Sequence, residues 1–208
     1  MSTQIGFLAW KGSMEDGFSL VWPQFGYVMR GRKESNRGYS GLMEDLKGYG
    51  PTYRGLNLRM GAFRNNGWCI LVDTMLDKEP LERAARRLSV NFKKATIAAM
   101  ADTEAGHFYV GFWDGGRHLG HVDARVKSGE IDMDGSLING HIDPSNWAED
   151  DWEQALKGIG LDVVEWPVLD PEEAEFEIIE IRRDFVPEMA EEKPKAQPKA
   201  KPWWQFWG

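Results

Sequence analysis

Apolar and polar positions alternate with different periods along the chain, and each change of period marks an element. "IGFLAW" at the start and "FSLVW" at 18–22 are short apolar, aromatic-rich runs, the pattern of strands. Between 29 and 62 the pattern breaks. Gly31, Gly38, Gly41, Gly48, Gly50, Gly55 and Gly61 punctuate the stretch and predict a Gly-rich loop segment, with a short helix at "SGLMEDLKG". "GWCILVDTML" is apolar throughout and predicts a central strand.

In "PLERAARRLSVNFKKATIAAM" the apolar positions Leu81, Ala84, Ala85, Leu88, Phe92, Ala95 and Ala99 recur with helical spacing. Arg83, Arg86, Arg87, Lys93 and Lys94 lie off that stripe, as a solvated face would. Asp77 suits an N-cap and Pro80 the first turn. "HFYVGFWDGGRHLGHVDA" predicts a β-hairpin. Phe108, Val110 and Phe112 share one face, Tyr109 and Trp113 the other, and Asp114-Gly115 supplies the turn. A second helix fits "NWAEDDWEQALKG": Asn146 and Glu149 have capping-box spacing, and Ala148, Trp152, Ala155, Leu156 and Ile159 form its buried stripe. "LDVVEW" and "FEIIEI" predict two further strands.

These elements do not alternate as β-α-β units. They predict an α+β fold, a largely antiparallel sheet of about six or seven strands with two main helices packed on it. The expected organisation is one α+β domain over 1–186, a Pro/Lys/Ala linker over 187–202, and an aromatic tail over 203–208, the last two flexible.

Charge adds an asymmetry that periodicity does not show. The chain has 208 residues and a net charge of −8. Residues 1–64 carry nine Lys/Arg and five Asp/Glu, a net of +4, whereas residues 102–192 carry six Lys/Arg and 24 Asp/Glu, a net of −18. Acidic surface of that size repels nucleic acid and attracts basic partners, so nucleic acid is not an expected partner. Cys69 is the only cysteine; it lies in an apolar run and reads as a buried thiol. The first residues lack a basic n-region and a long apolar core, and no run approaches about 18 apolar residues. The expected location is cytoplasmic.

Catalytic patterns fail on inspection. Ser40 lacks the second glycine of a nucleophile elbow, and "GYGPTY" has Tyr53 where a dinucleotide loop needs its third glycine. His107, His118, His121 and Asp123 form the one set that invites a metal reading. His118 and His121 stand three apart in a predicted strand, which would point them to opposite faces; His121 and Asp123 would share a face. In "EIDMDGSLINGH", Glu130, Asp132, Asp134 and Gly135 fit the start of a calcium loop, but His141 stands where the bidentate Glu belongs. No cofactor is expected.

The remaining signals point to binding. Trp203, Trp204, Phe206 and Trp207 crowd the last six residues and would bury roughly 150–250 Å² each on whatever surface covers them. Trp147, Glu149, Asp150 and Asp151 combine an aromatic anchor with three consecutive acids, suited to steering and gripping a basic protein. The sequence therefore predicts a non-enzymatic acidic protein-binding protein. Its most concrete form is a bacterial immunity protein that neutralises a basic toxin. The alternatives are a metal-dependent hydrolase built on the His/Asp set, and an adaptor whose tail docks on a larger assembly or a membrane surface.

Overall fold

The computed structural model describes residues 4–47, 58–73, 78–135, 149–169 and 174–183. Among the described residues the chain forms nine strands and four α-helices. They are β1 (Gln4–Trp10), α1 (Met14–Phe25), β2 (Tyr27–Glu34), α2 (Gly38–Lys47), β3 (Leu58–Asn65), β4 (Trp68–Asp73), α3 (Lys78–Phe92), β5 (Thr96–Asp102), β6 (His107–Asp114), β7 (Arg117–Arg125), β8 (Glu130–Asp134), α4 (Glu149–Gly158) and β9 (Glu177–Arg183). The strands make one sheet in the order β2-β9-β3-β4-β1-β5-β6-β7-β8. Every neighbouring pair is antiparallel. The fold is thus α+β as expected, with a wider sheet and two more helices.

The sheet is buried on both faces at its centre. Leu8, Trp10, Leu71, Ala98, Met100 and Tyr109 meet Phe18 and Val21 of α1 and Leu81, Ala84, Ala85 and Leu88 of α3. On the opposite face Phe7, Phe63, Ile70, Ile97 and Val110 meet Leu42 and Leu46 of α2 and Trp152, Ala155 and Leu156 of α4. Strands covered on both sides cannot alternate apolar with polar residues, which is why "GWCILV" and "IGFLAW" are apolar throughout. Cys69 is buried as expected. Trp166, in a short 3-10 turn over Trp166–Val168, ties the second face together. Its ring centroid lies 5.0 Å from Phe7 and 5.1 Å from Phe63, both edge-on.

Several sequence expectations are corrected. "FSLVW" is not a strand but the middle of α1. Ser13 caps that helix by accepting from the Asp16 amide at 3.2 Å, and Gly26 ends it at φ 67°. The buried positions Met14, Gly17, Phe18, Val21 and Trp22 have helical period, which the β-favouring aromatics and Pro23 obscured. The long helix stops at Phe92, where Lys93 turns at φ 52°. Ala95 and Ala99 therefore leave the stripe, and Thr96–Asp102 becomes central strand β5. "LDVVEW" is irregular and runs into the 3-10 turn that begins at Trp166.

The 29–62 segment is not mainly loop: its described part contains strand β2, helix α2 and the start of β3. Its glycines answer packing needs. Gly31 follows a register shift in β2, and a Cβ at Gly61 would lie 2.5 Å from the Leu42 side chain and 2.9 Å from Val72. Residues 48–57, including Gly48, Gly50 and Gly55, lie outside the described residues, as do Asp77, the linker and the tail.

Gly61→Ala should cost about 1–3 kcal/mol through overpacking against α2. A denaturant titration reads this as a lower midpoint at unchanged slope; an unchanged midpoint would mean that α2 does not press on β3 as described.

Candidate functional site

The polar side chains converge at one end of the sheet, on the face that carries α3. In β6 and β7 the residues on that face pair as His107 with Arg125, Tyr109 with Asp123, and Gly111 with His121. In β8 they continue as Glu130 opposite Arg125, Asp132 opposite Asp123, and Asp134 opposite His121. The other face of the same strands is apolar, with Val110, Val122, Ala124, Ile131 and Met133. "EIDMD" is therefore a strand with period two, not the rim of a calcium loop.

The hairpin turn is fixed from below by α3. Ser89, fully buried, accepts from the Gly116 amide at 2.9 Å and donates to the Lys94 carbonyl at 3.1 Å. Gly115 at φ 56° and Gly116 at φ 84° then supply the two left-handed positions of a tight turn.

The return strand carries one extra residue. Phe112 pairs with Gly120 but Trp113 pairs with His118, so Leu119 is a bulge. This overturns the expectation that His118 and His121 point to opposite faces. The bulge changes the parity, and the two rings stack with centroids 5.4 Å apart. Trp113, buried, backs His118 at 5.1 Å. One ligand atom each from His118, His121 and Asp134 lie within 4.8 Å of one another. His121 also meets Asp132, with Nε2 3.2 Å from Oδ2.

His107 and Asp123 form a separate cluster. His107 Nε2 lies 2.7 Å from Asp123 Oδ1, while the Lys78 ammonium donates to Asp123 Oδ2. Lys78 also lies 4.7 Å above the Tyr109 ring. Burial works against charge on Asp123, but Lys78 and His107 outweigh it and hold the carboxyl below its ordinary value. His118 is also held below its ordinary value, by burial first and by its neighbour His121 second.

The sequence-derived quartet thus divides. His118 and His121 come together as a pair with Asp134, and His107 pairs with Asp123. Asp134 and Lys78 were missed as partners of these groups. The alternation Glu130-Ile131-Asp132-Met133-Asp134, after the short "VKSG" connection, was the available sign that the acids sit on a paired strand.

Of the acidic-helix residues, Glu149, Asp150 and Asp151 open α4, and Asp151 is partly buried. Trp152 is core, its indole donating to the Tyr109 carbonyl at 3.0 Å. Trp147, Trp203, Trp204, Phe206 and Trp207 lie outside the described residues. A cleft of about 360 Å³ adjoins α4, lined by Tyr39, Phe108, Trp152, Glu153 and Trp166 among others. Among the described residues no helix is long and apolar enough to cross a membrane. Comparison with known protein families, with curated proteins and with solved structures finds no match.

Asp123→Asn should cost about 1–3 kcal/mol at pH 7, because the Lys78 ammonium loses its charged partner. The native carboxyl is depressed below its reference value of 3.8. Its stabilisation is therefore complete above that pH and is lost as pH falls through the folded-state value. Unfolding midpoints of the two proteins should converge in acid. A gap that persists after the wild-type carboxyl has itself been protonated would assign the loss to packing.

Proposed function

We propose that this is a non-enzymatic recognition protein whose partner is another protein with a basic surface. The observation that carries the reading is the edge strand β8. Among the described residues it ends the sheet, and it presents Glu130, Asp132 and Asp134, all exposed, along one face. The side chains of Glu130 and Asp132 are 69% and 79% accessible. An edge strand also offers unpaired backbone donors and acceptors on its outer side. Carboxylates there repel a like-charged strand and admit a basic one. Glu149, Asp150 and Asp151 at the start of α4 are the second candidate contact for such a partner, together with Trp147, which lies outside the described residues.

In its most concrete form the protein is a cytoplasmic bacterial immunity protein whose carboxylates fill the basic cleft of a toxin. Trp203, Trp204, Phe206 and Trp207 would then anchor the complex through a linker spanning up to roughly 50 Å when extended. The adaptor reading uses the same tail on a larger assembly or membrane surface. The metal-dependent hydrolase reading is favoured by one feature, the grouping of His118, His121 and Asp134. It further requires turnover.

Immobilised full chain should retain a basic protein that elutes as salt rises, and Glu130→Lys/Asp132→Lys should retain it at least about tenfold less, since each close charge pair contributes on the order of 1.5 kcal/mol or more. Equal, salt-insensitive capture by both would reject the β8 surface. Reversal of Glu149, Asp150 and Asp151 in a parallel bait tests the helix α4 surface in the same way.

Removing residues 202–208 should weaken capture yet leave the melting temperature within about 2 °C. A large drop in melting temperature would place the aromatics in the protein's own core.

A further inference from the structure

The bulge at Leu119 is held by a close backbone approach that only glycine permits. A Cβ on Gly120 would lie 2.6 Å from the Asp134 carbonyl oxygen. A Cβ on Gly135 would lie 2.2 Å from the Leu119 carbonyl oxygen and 2.5 Å from the Gly120 Cα. Gly135 also adopts φ 92°, a conformation that L side chains rarely take. Two glycines thus face each other across β7 and the end of β8. Their contact brings Asp134 beside the two histidines that the bulge has turned to the same face.

We propose that His118, His121 and Asp134 form a binding site for a divalent first-row transition ion, for which Zn²⁺ is the probe. Two imidazoles and one carboxylate suit such an ion in donor type. Bonds of 2.0–2.1 Å place tetrahedral donors about 3.4 Å apart. Donor atoms already within 4.8 Å reach that spacing by small side-chain rotations.

The supporting groups are of the usual kind for a metal centre. Asp132 contacts His121 at 3.2 Å, and a carboxylate on one imidazole nitrogen fixes the tautomer that leaves the other a lone pair. The indole of Trp113 limits how far His118 can swing. Three protein ligands leave at least one coordination position for water or for a donor from a partner. His107 and Asp123 do not belong to the site. Their mutual contact and the Lys78 ammonium occupy them, and a cation beside Asp123 disfavours a second one.

This inference does not rest on the partner reading, since the titration requires no partner. Full chain without a histidine tag is stripped with chelator, dialysed and titrated with Zn²⁺ against a chromophoric competitor. One equivalent should bind. His118→Ala and Asp134→Asn should each weaken binding at least about tenfold. His107→Ala should leave it within about twofold. Circular dichroism checks each variant, and Asp134→Asn, nearly isosteric at an exposed position, keeps the test valid if the histidine variant unfolds. With Co²⁺ in place of Zn²⁺, a visible ligand-field band should appear for the wild type and shift or vanish for Asp134→Asn. Absence of saturable one-equivalent binding would overturn the proposal. So would unchanged affinity in His118→Ala and Asp134→Asn, or a loss in His107→Ala as large as theirs.

Discussion

Two helices on a face cannot cover nine strands. Eight interstrand spacings of about 4.8 Å make a sheet roughly 38 Å wide, whereas two helices with side chains span about 20–24 Å. The middle of this sheet is buried on both sides by α1 and α3 on one face and α2 and α4 on the other. The margins must then be made of residues that tolerate water. β2 does so with Arg30, Arg32 and Lys33, and β8 with Glu130, Asp132 and Asp134. The two margins differ in charge balance: at the β2 end Arg32 pairs with Glu177 of β9 and with Glu15, whereas β8 carries three carboxylates. Among the described residues β2 and β8 are each an outer strand, and the charges of each disfavour pairing with a copy of itself.

At the acidic margin the apolar face of β6–β8 stays packed while the other face becomes polar beyond the reach of α3. One inserted residue decides what that polar face can do. Without the bulge at Leu119, strand parity would send His118 and His121 to opposite sides. With it, both stand over the same ground as Asp132 and Asp134. The charge row that suits a basic partner and the donor set that suits a metal ion both lie on the strands that are outermost among the described residues. They share Asp134, and Asp132 touches the donor set through His121, but Glu130 has no part in the donor set and His118 none in the charge row.

Much of the fold was legible where one period ran uninterrupted. The α3 stripe from Leu81 to Leu88, the β6–β7 hairpin and the apolar run of β4 all follow local rules. What misled was residue identity acting through tertiary contact. Aromatics and Pro23 made α1 resemble a strand, although Met14, Phe18 and Val21 keep helical spacing. Gly61 resembled a turn but serves a close approach of α2. Alanines after Lys93 continued a helical stripe by coincidence, because alanine suits a crowded central strand as well as a helix. At the site, the residue types were visible but their pairing was not. A bulge depends on the neighbouring strand, so neither the parity of His118 nor its nearness to Asp134 can be read from spacing alone.

The proposed partner surface is the margin formed by β7 and β8. Hydrogen–deuterium exchange of the full chain, alone and with the protein it retains, tests that most directly. Slowed exchange centred on residues 118–135, with β2 unchanged, is the expected outcome. Protection confined to β2 or to the cleft beside Trp152 and Trp166, with residues 118–135 unaffected, would contradict it.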